Sequence, residues 1–287
     1  MSTHSPPPSE LSINLDVPLA RVQIRLQHAY DRARFGLLST KAMTPEGFAK
    51  RPFFFNFDIA SDKTLAFGEA QAQAEQWCLR NTLVESITAV GAYLDECFWL
   101  CRLAEETHAG EILLSKSALA IESDCKKFRR MNFPTKLETL EARFAIASPF
   151  KGQFLSLNRV RNCLIHRDGW VGQDDADQEG KLVLRQRHCD CVATRKDNGA
   201  EFVIGEAGYV TEAETTVSIR VRDHERSFSI GDQIQLSPQE HVDSVLTLWL
   251  FLSELDKAFK LYFAARGLSS TTPPETPTGV QGKDLQA

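Results

Sequence analysis

No phosphate-binding glycine loop, no Gly-x-Ser-x-Gly elbow and no defensible cysteine-histidine-asparagine pattern occurs in these 287 residues, and no segment repeats. Hydrolysis at a serine or cysteine nucleophile therefore has no motif to stand on. Positive charge is not in excess either: 33 Lys and Arg against 38 Asp and Glu leave a formal charge of -5. A protein that coats nucleic acid nonspecifically normally presents a net basic surface, so that class is excluded, although a local basic patch is not. Long apolar runs are missing as well. The most apolar stretch, Val242 to Leu255, contains Asp243 and Glu254, and no charged-then-apolar leader opens the chain. A cytoplasmic protein with no membrane span is expected.

Seven cysteines, an odd number in a chain of this length, do not make a disulfide framework and read as reduced thiols. Cys78, Cys97, Cys101, Cys125 and Cys163 fall in helical stretches and read as small core residues. Ligand chemistry clusters at His188-Cys189-Asp190-Cys191, which has one C-x-C and no second pair at zinc-finger spacing. No structural metal is expected there, no carboxylates are spaced for Mg²⁺, and no cofactor is implied.

What is present is ordinary globular material, 43% hydrophobic, enough for one large core or two modest ones. Leu19, Val22, Leu26, Ala29, Ala33 and Leu37 recur at helical spacing and predict an N-terminal helix ending before the Thr44-Pro45-Glu46-Gly47 turn. Phe53, Phe54, Phe55 and Phe57 need covering and suggest an extended segment packed onto the bundle. From Glu69 to about His108 there is no proline, and Leu79, Leu83, Val90, Leu94, Cys97 and Cys101 mark a near-heptad seam: one long helix, or two broken near Gly91. Further helices are predicted from Ile112 to Met131, after Pro134, and from Ser148 to His166.

Beyond Gly169 the apolar period becomes two, at Leu182 and Leu184, Phe202 and Ile204, Val217 to Val221, and Phe228 and Ile230, with an Asn198-Gly199 hairpin signal. Three to five antiparallel strands follow from this. Ser237-Pro238-Gln239-Glu240 is a capping box opening a last helix to about Ala265. The fold class is thus mainly α, an antiparallel bundle over residues 16–170 and 237–267, with a β-rich insertion at 171–236 before the last helix. Residues 1–15 and 268–287 carry no periodic pattern and read as disordered ends.

The helix after Ser148, taken as N-cap with Pro149 at the first position and Gly169 just past its end, has one unusual residue. Phe150, Phe154, Leu157 and Leu164 form an apolar stripe, and Arg161 lies near its middle. A guanidinium keeps its proton, so burying it among apolar neighbours costs several kcal/mol, in order of magnitude, unless an anion meets it. Either it is paired inside the fold, snorkels to the bundle edge, or waits for a phosphate. Asn162 and His166 share a neighbouring face, with His166 roughly 140° round from Arg161 at 3.6 residues per turn. The two side chains diverge unless the helix ends at His166 or two copies of the helix meet. His166 alternatively only helps cap the helix C-terminus.

The string Arg161-Asn162-x-x-x-His166 at a helix end, followed by Arg167 and Gly169, resembles the signature of the HEPN superfamily of small α-helical bundles. The resemblance covers about Glu69 to Arg167 plus Pro238 to Ala265. It implies a metal-independent endoribonuclease, of a kind found in toxin-antitoxin, abortive-infection, restriction and phage-defence systems, that leaves 2′,3′-cyclic phosphate ends. Arg161, Asn162 and His166 would be catalytic. RNA supplies its own 2′-OH nucleophile, so an imidazole to move protons and a guanidinium to match two phosphate oxygens suffice without a metal. Arg159 and Arg167 flank the motif, and Lys126, Lys127, Arg129 and Arg130 form a run that either binds RNA or is a solvated helix end. The implied partners are RNA, a second copy of the chain in a homodimer, and an antitoxin or other regulatory protein. The other reading is a noncatalytic HEPN-like module that binds nucleotide, RNA or protein.

Overall fold

A computed structural model of the chain describes residues 14–50, 65–108, 114–204 and 214–268. Among these, seven helices and a three-stranded antiparallel sheet occur in the order α1 (Asp16–Ala42), α2 (Pro45–Ala49), α3 (Phe67–His108), α4 (Leu114–Arg129), α5 (Phe133–Phe144), α6 (Lys151–His166), β1 (Lys181–Arg195), β2 (Glu201–Val203), β3 (Thr215–Ser229) and α7 (Pro238–Ala264). The phenylalanine-rich segment from Phe53 to Phe57 lies outside the described residues. The expectation of disorder through residue 15 fails at its last position, because Leu15 is buried in the core just ahead of α1.

The spine is α3, one unbroken helix of 42 residues. Gly91 does not break it. A Cβ there would lie 3.1 Å from the Phe133 ring, so the glycine makes room for α5 against α3. Cross-helix pairs fix the directions of the other helices. Arg21 bonds Glu96 and Arg32 bonds Glu85, so α1 runs antiparallel to α3. Thr82 meets His241, Tyr93 bonds Asp256 and Tyr262 approaches the Cys101 carbonyl, so α7 runs parallel to α3. Arg80 bonds Asp168 at the end of α6, while Phe133, beside Gly91, packs edge-on to Phe154 near its start. Helix α6 is therefore antiparallel to both α3 and α7.

Local chemistry sets the helix ends. Asn132 accepts the Thr135 N–H and opens α5, and Ser237 and Glu240 close a reciprocal capping box on α7. The expected Ser148-Pro149 start of α6 is displaced. The Ser148 hydroxyl accepts the Phe150 N–H instead, Pro149 lies in a turn, and the helix begins at Lys151 with Phe150 as its N-cap. At the other end Asp168 has φ +53° and Gly169 φ +84°. The Arg167 and Gly169 N–H groups both return to the Cys163 carbonyl, which reverses the chain.

The sheet has the order β2-β1-β3, and β1 and β3 pair along all fifteen residues from Lys181–Ser229 to Arg195–Thr215. The period-two segments around Val217 and Phe228 are thus one strand, not two. Short β2 covers β1 only at Val192 to Thr194, leaving the rest of that edge to the helices. Helix side chains complete it. The Ser156 hydroxyl of α6 donates to the Val183 carbonyl at 2.6 Å and accepts the Arg185 N–H at 2.8 Å, and Thr247 of α7 accepts the Arg187 N–H at 2.7 Å. Fully buried Gln186 donates to the Glu240 carbonyl and the Ser244 hydroxyl. Leu182, Leu184, Phe228, Ile234 and Leu236 join the same buried cluster as the helices, so the insertion shares its base with the bundle core.

Candidate functional site

Helix α6 buries Phe154, Leu157, Val160, Cys163 and Leu164 against α3, α5, α7 and β1. Phe154 stacks on Phe251 with centroids 4.5 Å apart and meets Phe133 edge-on. The next residue on that stripe is Arg161, which is half-buried. Its Nη1 donates to Asn162 Oδ1 at 3.0 Å, and its Nε is buried with no partner. No carboxylate pairs with it among the described residues, and burial pushes its guanidinium below the usual value.

Other sequestered cations are treated differently. Buried Lys136 holds Asp95 at 2.6 Å, and buried Arg102 bonds Glu105, Glu106 and Asp124. Arg167, the expected RNA contact beside the motif, is paired with buried Asp175. Burial raises the Asp175 carboxyl, but bonds from Arg167 and the Gly172 N–H outweigh it and leave the carboxyl below its ordinary range. Arg167 therefore holds the turn after α6 in place.

The helix ends at His166, one of the two conditions under which Arg161 and His166 could converge. Convergence does not follow within one chain. His166 is exposed and makes no hydrogen bond among the described residues, whereas Arg161 turns to Asn162. Two residues on, exposed Asp168 bonds Arg80 of α3 and ties the end of α6 to the start of the spine. Beside that tie opens a cleft of about 540 Å³ lined by Trp77, Arg80, Leu164, Asp168, Gln233 and Gln235. Nothing local in the sequence joins Arg80 to Asp168, 88 residues away; the pairing exists only once α3 and α6 are antiparallel.

Among the flanking cations, Arg159 is exposed on α6. Lys126, Lys127, Arg129 and Arg130 are exposed at the end of α4, which packs on the far part of α3 through the stacked Phe98 and Phe128 rings. From residue 80 to residue 98 the spine rises about 27 Å, so the basic run and the motif are not brought together. The His188 cluster is also spent on structure. Both ring nitrogens face carboxylates, Asp243 at 2.8 Å and Asp190 at 3.0 Å, and Arg222 holds the other oxygen of Asp190. No group of three or more His, Cys, Asp or Glu residues among those described has the geometry to hold a metal ion. No described helix is long and apolar enough to cross a membrane. We found no protein-family model, curated protein or solved structure that matches this chain.

Proposed function

We propose that the chain is a metal-independent endoribonuclease of HEPN type that works as a homodimer. The observation that carries the proposal is Arg161, a half-buried guanidinium on an apolar stripe with an unpartnered Nε and no carboxylate partner among the described residues. Every comparable cation named above has an acid, and a scissile phosphate is the anion that would complete this one. In the reaction the ribose 2′-OH attacks the adjacent phosphorus and the P–O5′ bond breaks. The 2′-OH proton goes to a base, and a proton is returned to the leaving 5′-oxygen. His166 supplies one of these transfers, Arg161 neutralises charge on the non-bridging oxygens, and Asn162, already bonded to Arg161, fixes the guanidinium plane. The products are a 2′,3′-cyclic phosphate and a 5′-hydroxyl.

A second reading, a noncatalytic RNA- or nucleotide-binding module, is favoured by one feature: the exposed His166 imidazole has no group orienting it among the described residues. Incubation of the purified chain with a mixed RNA pool in EDTA separates the two. Cleavage that persists in EDTA and is abolished by both Arg161→Ala and His166→Ala supports the enzyme. RNA binding without cleavage supports the module, and loss of cleavage in EDTA with rescue by Mg²⁺ overturns the metal-independent mechanism.

A further inference from the structure

The cleft beside the end of α6 has a defined construction. One wall is α3, where the Gln76 amide holds the chain before α7 in a double clasp, donating to the Leu236 carbonyl at 2.9 Å and accepting its N–H at 3.0 Å. The opposite wall is therefore fixed to α3 although 160 residues separate them. The neighbour of Gln76 is Trp77, whose indole is 66% exposed and lines the cleft. From the far wall, Gln233 and Gln235 flank buried Ile234 in an extended segment, so their side chains leave it on the same side. Neither amide has a hydrogen-bond partner among the described residues.

Charge tells what such a cleft is for. Its one guanidinium, Arg80, is already neutralised by Asp168, and Glu75 lies nearby, so a phosphate gains nothing by entering. A flat uncharged ring with donors and acceptors on its edge gains at every surface: the indole offers a stacking face, and the amides match a heterocycle's polar edge. Leu164, which lines the cleft, lies one turn from Arg161 and about 60° round the helix from it, so the sugar-phosphate attached to a ring held here runs along the side of α6 that carries that guanidinium. We propose that the Trp77 cleft holds one unstacked base of single-stranded RNA beside the phosphate that is cut. This rests on the ribonuclease reading for its substrate, and it adds a base-binding subsite to the phosphate site at Arg161.

The test measures affinity for a fluorescent single-stranded RNA 12-mer in the full-length chain carrying His166→Ala, so that cleavage does not intervene. Adding Trp77→Ala is expected to weaken binding about ten- to hundredfold, while Trp77→Phe, which keeps a stacking face, stays within about threefold. The salt dependence of binding should not change slope, because no phosphate contact is removed. With His166 restored, kcat/KM of Trp77→Ala falls in step with affinity. Equal affinity in Trp77→Ala, or a loss accompanied by a shallower salt slope, overturns the proposal. If the native chain cleaves RNA and Trp77→Ala cleaves it equally well, the base site fails and the ribonuclease stands. If it binds RNA through Trp77 without cutting, the base site stands and the ribonuclease fails.

Discussion

Arg161 and His241 are both polar groups on apolar helix faces, and they meet the cost of burial in different ways. His241 is 2% exposed in α7, with its Nε2 3.4 Å from the Thr82 hydroxyl and its Nδ1 unpartnered, and burial lowers its pKa to about 4. In the unfolded chain an imidazole protonates near pH 6.5, so between there and about pH 4 the unfolded state takes up a proton that the folded state refuses. Stability is therefore full above pH 6.5 and falls through that window. His241→Leu should remove roughly 2–3 kcal/mol of the stability lost between pH 7 and pH 4.5, read by urea unfolding at the two pH values. Arg161 cannot discharge itself, so its cost remains in the folded state. Arg161→Leu should raise stability by about 1 kcal/mol while abolishing RNA cleavage, because it extends the Phe154, Leu157 and Leu164 stripe and removes an unsatisfied donor. A less stable Arg161→Leu chain would mean that the guanidinium serves the fold.

At the scale of elements, the sheet is attached to the bundle by side-chain hydroxyls as well as by apolar packing. Ser156 satisfies both the Val183 carbonyl and the Arg185 N–H, so a single oxygen stands in for the strand that β2 is too short to supply. Ser156→Ala leaves two backbone groups without partners and should cost about 1–3 kcal/mol. Amide exchange at Arg185 should accelerate, while exchange within the β1–β3 ladder beyond Cys191 should not; uniform acceleration across the sheet would argue against a local clasp. Elements α6 and α7 behave as a helical hairpin with the sheet at its turn, since Gln76 fixes the start of α7 at the same level of α3 where Arg80 fixes the end of α6. That closure places the cleft at the end of the motif helix.

For the whole molecule, the divergence of Arg161 and His166 within one chain is the reason to expect two chains. A two-fold axis beside α6 would set the same patch of each copy against the other and bring both side chains to one groove. Light scattering at micromolar concentration should give about twice the 32.2 kDa chain mass. Heterodimers of native and Arg161→Ala chains should show reduced activity per intact motif. A monomer that cleaves RNA at full specific activity on dilution would exclude a shared site.

Much of this architecture was legible in the sequence because it depends on near neighbours. Apolar period and capping residues located α1, α3, α5, α7 and β1, and the Ser237 to Glu240 box and the Asn198-Gly199 turn appear where expected because both act across three or four residues. Legibility stopped where distant residues compete for one group. Arg167 flanks the motif in the sequence and only the fold pairs it with Asp175, and the level of α3 at which the α4 cations stand is set by packing that no spacing along the chain shows. The oddity of Arg161 was visible in its spacing, since an arginine on an apolar stripe needs no coordinates to be noticed. That no described carboxylate meets it was not visible, because any of 38 might have folded against it, and only packing decides which ones do.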